Sequence, residues 1–424
     1  MRNRTTHRRR RASAAPPILV ASVIAATMLV GCSGRQEAPL TVWSNDPDTA
    51  FFVERYNLDA EVPIHLRYVE NLSEALTQER AGADVVIGRW VNTPTVNRLM
   101  LPVAEHVVPR ERPSDPADAD PRRRGVAIPE SFSGISTAWV PLAYTLPAVV
   151  YATDRTYLAE PFAVSFPDLV DATEGPITAG DPPPPVFAPA ADTAGIYAVY
   201  RSLGFETTTT AEGAPTWRQE DLERSIGIVT DWTTDHFGSP EAEQSYIEEF
   251  LYDPPLRLLE TGRIALVYRN SASLFTWSFF EDHRFDFRWL ATPEGPIRIN
   301  EDIVYVGIPA NSSRRDEAVD FVQWITAPSV QVELIRQKSE AGIDTFGFFG
   351  GFSTIPEVNT EIAATLYPRL ADRVPAPGIL LPPKVHPRYW NEAIHQIVAP
   401  FLLDPSDAAE LAALVNRWYR QRGD

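Results

Sequence analysis

The chain has 424 residues, a formal net charge of −18 and a single cysteine. This length predicts two or three domains with a sizeable buried core. One cysteine excludes a disulfide framework and any multi-cysteine zinc or iron–sulfur site. Because the phosphates of nucleic acids bind basic surfaces, the acidic excess argues against a nucleic-acid partner.

The first 31 residues have the pattern of an export signal. They contain six arginines and no acidic residue, and an apolar run covers positions 18–30. A basic start followed by a short apolar run is typical of a secretory signal peptide, and the run is shorter than the ~20 residues of a membrane-spanning helix. The run ends in Leu29-Val30-Gly31-Cys32, which resembles a bacterial lipobox. This resemblance implies a signal peptide over 1–31, acylation of Cys32 and a short tether over 32–39; a buried cysteine beside an uncleaved anchor is the alternative.

The elements that follow alternate in type. Hydrophobic periodicity predicts strands at 40–44, 62–68 and 83–88, separated by helices at 49–57 and 71–80, with Asp48 as a helix N-cap. This β-α-β-α-β order is the signature of a parallel sheet covered by helices, and it predicts an α/β protein. Loops are expected at 109–125 and 182–185. Later elements are predicted as strands within 139–153, at 264–268 and at 303–308, and as helices at 222–237, 316–326, 328–338, 389–402 and 406–420.

Polar and aromatic residues follow two of the predicted parallel strands. Binding sites in such sheets lie beyond the carboxyl ends of the strands. Sugars stack their CH-rich faces on aromatic rings and bind polar side chains through their hydroxyls. The candidates at these ends are Trp43, Ser44, Asn45, Asp46, Arg89 and Trp90. Packing of Trp43 in the core is the alternative reading.

Several stretches in order along the chain resemble one family. They are LTVWS at 40–44, ADVVIG at 83–88, YTLPAVVY at 144–151, GRIALV at 262–267, VGIPANS at 306–312 and EAVDFVQW at 317–324. Together with the lipobox they resemble extracellular solute-binding protein family 1, the maltose-binding-protein-like lipoproteins of sugar ABC importers. The resemblance implies a two-lobe periplasmic-binding-protein-like fold, in which each lobe is a mainly parallel sheet flanked by helices. Lobe 1 would comprise 40–148 and 290–327, lobe 2 would comprise 149–289 and 328–424, and hinges would lie near 147–152, 287–292 and 326–330.

The resemblance also implies a function. The chain would be a lipid-anchored, extracytoplasmic monomer on the periplasmic face or cell surface. It would capture a sugar or oligosaccharide between its lobes and deliver it to permease subunits, without enzymatic activity, metal or cofactor. Further ligand contacts implied by the family pattern are Tyr144, Tyr268, Asn270 and Trp390. Glu301, beside the predicted strand at 303–308, is a further candidate because its carboxylate could accept hydrogen bonds from sugar hydroxyls. For Glu301 a solvated acidic turn is the alternative, and for Trp390 it is packing within a lobe.

Three other functions stay open at this point. A polyamine or another small solute could occupy the same kind of site, since aromatic rings and acids also bind ammonium groups. A secreted carbohydrate-active enzyme needs only two carboxylates, although the chain has no Gly-x-Ser-x-Gly or His-Glu-x-x-His motif. The third is a ligand-sensing partner of a membrane histidine kinase.

Overall fold

Two β-sheets organise the chain. A computed structural model describes residues 38–78, 82–103, 132, 137–153, 162–172, 187–210, 213–276, 284–405 and 407–422. The strands are β1 (Leu40–Ser44), β2 (Ile64–Tyr68), β3 (Val85–Gly88), β4 (Val140–Tyr144), β5 (Pro147–Ala152), β6 (Ala163–Val164), β7 (Thr208–Thr209), β8 (Pro215–Thr216), β9 (Leu266–Asn270), β10 (Phe285–Leu290), β11 (Ile297–Arg298), β12 (Val304–Gly307), β13 (Phe352–Ser353) and β14 (Leu380–Leu381). The first sheet has the order β13-β4-β12-β3-β1-β2 and the second has the order β6-β10-β5-β9, while β11-β14 and β7-β8 form two small ribbons.

Helices cover these sheets and connect their strands. They are α1 (Asp48–Asn57), α2 (Leu72–Gln78), α3 (Pro94–Asn97), α4 (Phe166–Ala172), α5 (Thr193–Ser202), α6 (Gln219–Phe237), α7 (Pro240–Phe250), α8 (Pro255–Glu260), α9 (Ser271–Leu274), α10 (Arg315–Ile325), α11 (Pro328–Glu340), α12 (Pro356–Thr365), α13 (Trp390–Ala393), α14 (Ala399–Leu403) and α15 (Ala408–Gln421). Short 3₁₀ turns occur at Pro189–Ala191, Pro368–Leu370 and Pro377–Ile379, and a π-helical turn at Ile394–Val398 joins α13 to α14. No helix in the described ranges is long and apolar enough to cross a membrane.

The β-α-β-α-β order predicted for the first part of the chain is confirmed. Strand β1 pairs in parallel with both β2 and β3, so the carboxyl ends of β1 and β3 are adjacent. The apolar run Val85-Val86-Ile87 is completely buried, as expected for a central strand. The predicted N-cap is wrong in detail: Asp48 is the first residue of α1, and no side chain caps this helix at Pro47.

Both sheets are mixed, whereas the resemblance implies mainly parallel sheets. In the first sheet β12 is antiparallel to β3 and β4. In the second sheet β5 is antiparallel to both neighbours, β9 and β10. The reason is that β4, β5, β10 and β12 lie where the chain passes from one sheet to the other, so they do not arise from helical crossovers within one sheet.

Residues 328–365, assigned to lobe 2 by the resemblance, pack with the first sheet. Strand β13 extends that sheet by pairing with β4. Leu334 and Ile335 of α11 and Ile362 of α12 are buried in the same core cluster as Val42 and Val306. Helices α13 to α15 pack with the second sheet instead, where Trp390 and Trp418 belong to a separate core cluster. The expected signal peptide, Cys32 and the loops at 109–125 and 182–185 lie outside the described residues.

Candidate functional site

The ends of β1 and β3 are joined by Asn45. Its Nδ2 donates to the carbonyl oxygen of Arg89 at 3.2 Å, and its Oδ1 accepts from the backbone N–H of Arg89 at 2.9 Å. Both polar atoms of the amide therefore hold the turn that follows β3. The next residue, Trp90, has a left-handed backbone with φ of 61° and a half-buried indole. Asn45 thus positions Trp90 at the sheet edge where the sequence predicts a site.

Tyr389 has the same unusual backbone. Within the described part of the chain, Trp90, Tyr389 and Phe349 are the non-glycine residues with positive φ. Such a conformation is strained for bulky residues and tends to occur at ligand-binding positions. Tyr389 directly precedes α13, and its ring is half-buried. Two strained aromatic residues from distant parts of the chain therefore meet at one cavity.

This cavity, called the cleft cavity below, has a volume of about 470 Å³. That volume falls within the range of small-molecule sites. Its lining consists of Asn45, Glu70, Asn71, Leu72, Ser73, Arg89 and Trp90 on one side and Tyr389, Asn391 and Glu392 on the other. The Trp90 ring provides a stacking surface, whereas the guanidinium groups of Arg388 and Arg422 lie 4.6 and 5.3 Å from the centre of the Tyr389 ring. The carboxylates, amides and hydroxyl around the two rings add donors and acceptors, and this combination is the chemistry that a polyhydroxylated ligand requires.

Some polar groups of the cleft cavity are occupied by partners within the protein. The hydroxyl of Ser73 donates to the carbonyl oxygen of Trp90 at 2.9 Å, and Asn71 exchanges hydrogen bonds with Glu74. Glu392 forms an ion pair with Arg422 at 2.6 Å. By contrast, the side chains of Glu70 and Asn391 make no hydrogen bond or ion pair with the described residues, so they are the polar groups best placed to contact a ligand.

Arg89 uses its guanidinium within the protein. Its Nε and Nη2 contact Oδ2 of Asp46 at 3.1 and 3.0 Å, and its Nη1 donates to the carbonyl oxygen of Asp302 at 2.7 Å. Nη1 also contacts Oδ2 of Asp302 at 3.3 Å, and Nη2 donates to the carbonyl oxygen of Phe349. Five contacts match the five N–H groups of an arginine. Burial raises the pKa of Asp46, although the neighbouring Arg89 opposes this shift. The Arg89–Asp46 pair thus stabilises the wall of the cleft cavity.

Three of the expected aromatic contacts lie in the core. Trp43 is 1% exposed; the Arg67 guanidinium lies 4.7 Å from its ring centre. Tyr144 is 3% exposed and stacks on Phe352, with ring centres 5.7 Å apart. Trp390 is 1% exposed. None of the three presents an accessible ring face, so none of them can stack on a ligand in this conformation.

The sequence contains a signal that separates Tyr389 from Trp390. Trp390, Ala393 and Ile394 have the i, i+3, i+4 spacing of a buried helix face, and all three are buried. Tyr389 precedes the first helical residue and falls outside that face. Tyr389 is therefore the residue of this pair that lines the cleft cavity. The helical spacing of the apolar residues in the sequence indicates this difference.

The other expected contacts also have partners within the protein. The hydroxyl of buried Ser44 lies 2.7 Å from that of Thr49. Asn270 caps α9 by accepting from the N–H of Ser273 at 2.8 Å. Tyr268 lines a different, mainly apolar cavity of about 130 Å³ next to the second sheet, and burial raises the pKa of its hydroxyl.

Glu301 is buried in a polar cluster that no pattern in the sequence indicates. It accepts a hydrogen bond from the hydroxyl of Tyr197 at 2.7 Å, and it lies 4.0 Å from Nε of Arg201 and 3.9 Å from Nδ1 of His386. Burial lowers the pKa of His386, so its imidazole is neutral at pH 7. The ring of His386 lies 5.6 Å from that of Trp90, so the cluster adjoins the cleft cavity. Across the ranges that the structure describes, no group of three or more His, Cys, Asp or Glu residues could hold a metal ion.

Solved structures of other proteins identify the fold of this chain. No protein-family model and no curated protein sequence matches the chain. Among solved structures, the cyclic α-maltosyl-1,6-maltose binding protein of Arthrobacter globiformis matches with a TM-score of 0.56 and 17% identity, over 90% of this chain and 97% of that one. The sugar-binding protein MalE of Xanthomonas citri matches with a TM-score of 0.59 and 12% identity, over 90% and 96%. An ABC substrate-binding protein of Listeria monocytogenes in complex with cycloalternan matches with a TM-score of 0.54 and 13% identity, over 91% and 99%. Mixed sheets with flanking helices and these matches over most of the chain show that it has the two-lobe periplasmic-binding-protein fold.

Proposed function

We propose that this chain is the extracytoplasmic substrate-binding component of an ABC importer and that it captures a carbohydrate in the cleft cavity. The observation that carries the proposal is the pair of strained aromatic residues, Trp90 and Tyr389, at one polar cavity. The similar folds support it, because all three solved structures named above are sugar-binding or substrate-binding proteins. Delivery of the sugar to permease subunits belongs to the same proposal.

In this proposal the two rings stack on the CH-rich faces of the sugar. Glu70 accepts hydrogen bonds from sugar hydroxyls, and the amide of Asn391 both donates and accepts. A ligand that contacts both walls of the cavity favours closure of the lobes, because it binds the closed state more tightly than the open one. Binding energy thus selects the conformation that the permease would recognise.

A binding role fits the carboxylates better than a hydrolytic one. A glycosidase needs one protonated and one ionised carboxyl group on opposite sides of the scissile bond. Glu392 is held in an ion pair with Arg422, and Glu70 is exposed to solvent. A carboxylate already bound by an arginine and a second one open to water do not form the enclosed pair of carboxyl groups that hydrolysis uses. We therefore propose that the chain binds its ligand without converting it.

Calorimetric titration of the full chain, purified in a non-glycosidic detergent, tests this function. We expect one or more neutral or acidic oligosaccharides to bind with a 1:1 stoichiometry and to be recovered unchanged. Tighter binding of spermidine or putrescine than of any saccharide would favour the polyamine alternative, in which Glu70 and the rings hold ammonium groups. Release of reducing ends would favour the enzyme.

Anchoring through Cys32 is a separate part of the proposal. Multiple acyl chains anchor a protein stably, whereas a single chain gives marginal binding. Cells that express the chain should incorporate labelled palmitate into it, and the Cys32→Ala variant should remain unlabelled. Equal labelling of both proteins would rule out lipidation at this cysteine.

A further inference from the structure

The described residues that line a second cavity, of about 720 Å³, carry charge of one sign only. Its walls are the start of α3, residues 213–215 at the start of β8, and one face of α15. The charged residues among its described lining are Arg388, Arg417 and Arg420, with no acidic residue among them. We call it the arginine cavity. In a chain with 56 acidic and 38 basic residues, this is a local reversal of charge.

Two of these arginines have no acidic partner within the described ranges. The guanidinium groups of Arg417 and Arg420 are exposed and make no ion pair or hydrogen bond with the described residues. Arg422, at the same end of α15, provides a contrast because it pairs with Glu392 at 2.6 Å. Unpaired guanidinium groups in one concave surface repel each other and attract anions, and their planar N–H groups fit carboxylate, sulfate or phosphate oxygens.

The arginine cavity adjoins the cleft cavity. Consecutive residues of one segment line the two cavities, since Arg388 faces the arginine cavity and Tyr389 faces the cleft cavity. On the other side Trp90 lines the cleft cavity, and Pro94 lines the arginine cavity four residues later. Between them, Nη2 of Arg388 donates to the hydroxyl of Thr77 in α2 at 3.3 Å. The same two short stretches of chain, 90–94 and 388–389, therefore border both cavities.

We propose that the arginine cavity is an anion-binding subsite and that the ligand of the cleft is an acidic saccharide, carrying a carboxylate, sulfate or phosphate group. This inference rests on the proposed function and adds the chemical class of its substrate. The side chains of Thr95 and Asn416 line the same cavity and offer neutral hydrogen-bond donors beside the guanidinium groups. An acidic group there would bind through charge-assisted hydrogen bonds, so its affinity would fall as ionic strength rises.

The test uses three probes with the full chain: trigalacturonate, its neutral counterpart galactotriose, and tripolyphosphate. The variant R417Q/R420Q removes two exposed charges from the arginine cavity. The matched control R315Q/R336Q removes two charges from exposed positions on α10 and α11. We expect trigalacturonate to bind at least tenfold more tightly than galactotriose, with this preference lost in R417Q/R420Q and kept in the control. We also expect Trp90→Ala to weaken binding of trigalacturonate.

Several outcomes would overturn the inference. If neither anion binds, or if R417Q/R420Q changes anion affinity by less than twofold, the arginine cavity is not an anion subsite. If tripolyphosphate alone binds, and Trp90→Ala leaves its affinity unchanged, the cavity takes a free anion and the acidic-saccharide assignment fails. Binding of neutral saccharides that persists in all these cases would leave the proposed function intact, which separates the two failures.

Discussion

Arg89 joins three segments that are distant in the sequence. Its guanidinium contacts Asp46 after β1, Asp302 in the segment that leads to β12, and the carbonyl oxygen of Phe349 before β13. Asp46 is 4% exposed, so its carboxylate depends on Arg89 for compensation of its charge. A buried charge that loses its partner destabilises a protein more than the intact pair stabilises it.

We expect Arg89→Ala to lower the free energy of unfolding by about 3 kcal/mol, because it leaves Asp46 buried without a cation. Urea denaturation measures the loss. Arg336→Ala, at an exposed helix position, should change stability by less than about 0.5 kcal/mol. Adding Asp46→Asn to Arg89→Ala should restore part of the stability. A loss below about 1 kcal/mol for Arg89→Ala would show that the arginine does not hold these segments together.

At the scale of elements, a buried ion pair connects α1 to α11. Nζ of Lys338 lies 2.7 Å from Oδ2 of Asp48 and donates to the carbonyl oxygen of Gly347 at 2.8 Å. The two side chains are 2% and 6% exposed. Burial lowers the pKa of Lys338, and the adjacent Asp48 opposes this shift. The pair fixes the start of α1 against the helix that covers the first sheet.

Lys338→Met should reduce stability by about 3–5 kcal/mol, since it leaves the buried side chain of Asp48 without its cation. The double variant D48N/K338M should regain at least half of that loss, as the unpaired charge is then removed. Lys384→Met serves as the control, because Lys384 is 60% exposed. Equal stability of the single and double variants in thermal and urea denaturation would contradict this account.

A second cluster attaches the segment after α12 to the second sheet. Asp286 of β10 accepts from Nη2 of Arg373 at 3.0 Å and from Nη1 of Arg288 at 2.9 Å. Burial alone would raise the pKa of Asp286, but the hydrogen bonds from Arg373 and Arg288 outweigh it and lower the pKa to about 2. A depressed pKa means that the folded state favours the ionised form, so this stabilisation is present above pH ~4 and is lost as the pH falls toward 2.

We therefore expect Asp286→Asn to cost about 1–2 kcal/mol at pH 5, once screening by solvent is allowed for. The difference from the wild type should shrink as the pH is lowered from 4 to 2, because the wild-type carboxylate becomes protonated. Urea denaturation at a series of pH values measures both proteins. A difference that stays constant over that range would show that Asp286 contributes through packing and not through its charge.

The helix predicted at 389–402 shows what local patterns can and cannot indicate. The helical spacing is real, but the structure divides the segment into α13, a π-helical turn at Ile394–Val398 and α14. Pro400 has no N–H to donate to the carbonyl of the residue four positions earlier, and its ring would clash there, which a locally wider turn relieves. A proline inside a helical pattern could have predicted the irregularity, but its form depends on packing.

At the scale of the whole molecule, short-range patterns predicted the elements but not the contacts between them. The order of strands and helices over 40–88 follows from hydrophobic periodicity. By contrast, Arg89 and Asp302 are separated by 213 positions, and Asp48 and Lys338 by 290. No short-range pattern in the sequence indicates that these side chains are in contact. For the same reason the sequence identified Arg89 as a polar group at the correct sheet edge but could not show that the protein itself uses its N–H groups.

Glu301 and Asp302 are consecutive residues, but their side chains contact residues next to different sheets. Glu301 accepts from Tyr197 of α5, whereas Asp302 accepts from Arg89 after β3 and from the hydroxyl of Thr145 at 2.7 Å. Thr145 lies between β4 and β5, where the chain passes from one sheet to the other. Asp302 therefore contacts the chain two residues before the hinge segment 147–152 that the family resemblance implies.

The most direct test of the account is the affinity of Trp90→Ala and Tyr389→Ala for the saccharide that the wild-type chain binds most tightly. If the two rings hold the sugar, each variant should bind at least tenfold more weakly in calorimetric titrations, a loss of about 1.4 kcal/mol or more. Tyr252→Ala, which removes a ring that is 69% exposed, should stay within twofold of the wild type. Unchanged affinity in both cleft variants, or no saccharide binding by the wild type, would contradict the proposal that the cleft cavity captures a carbohydrate.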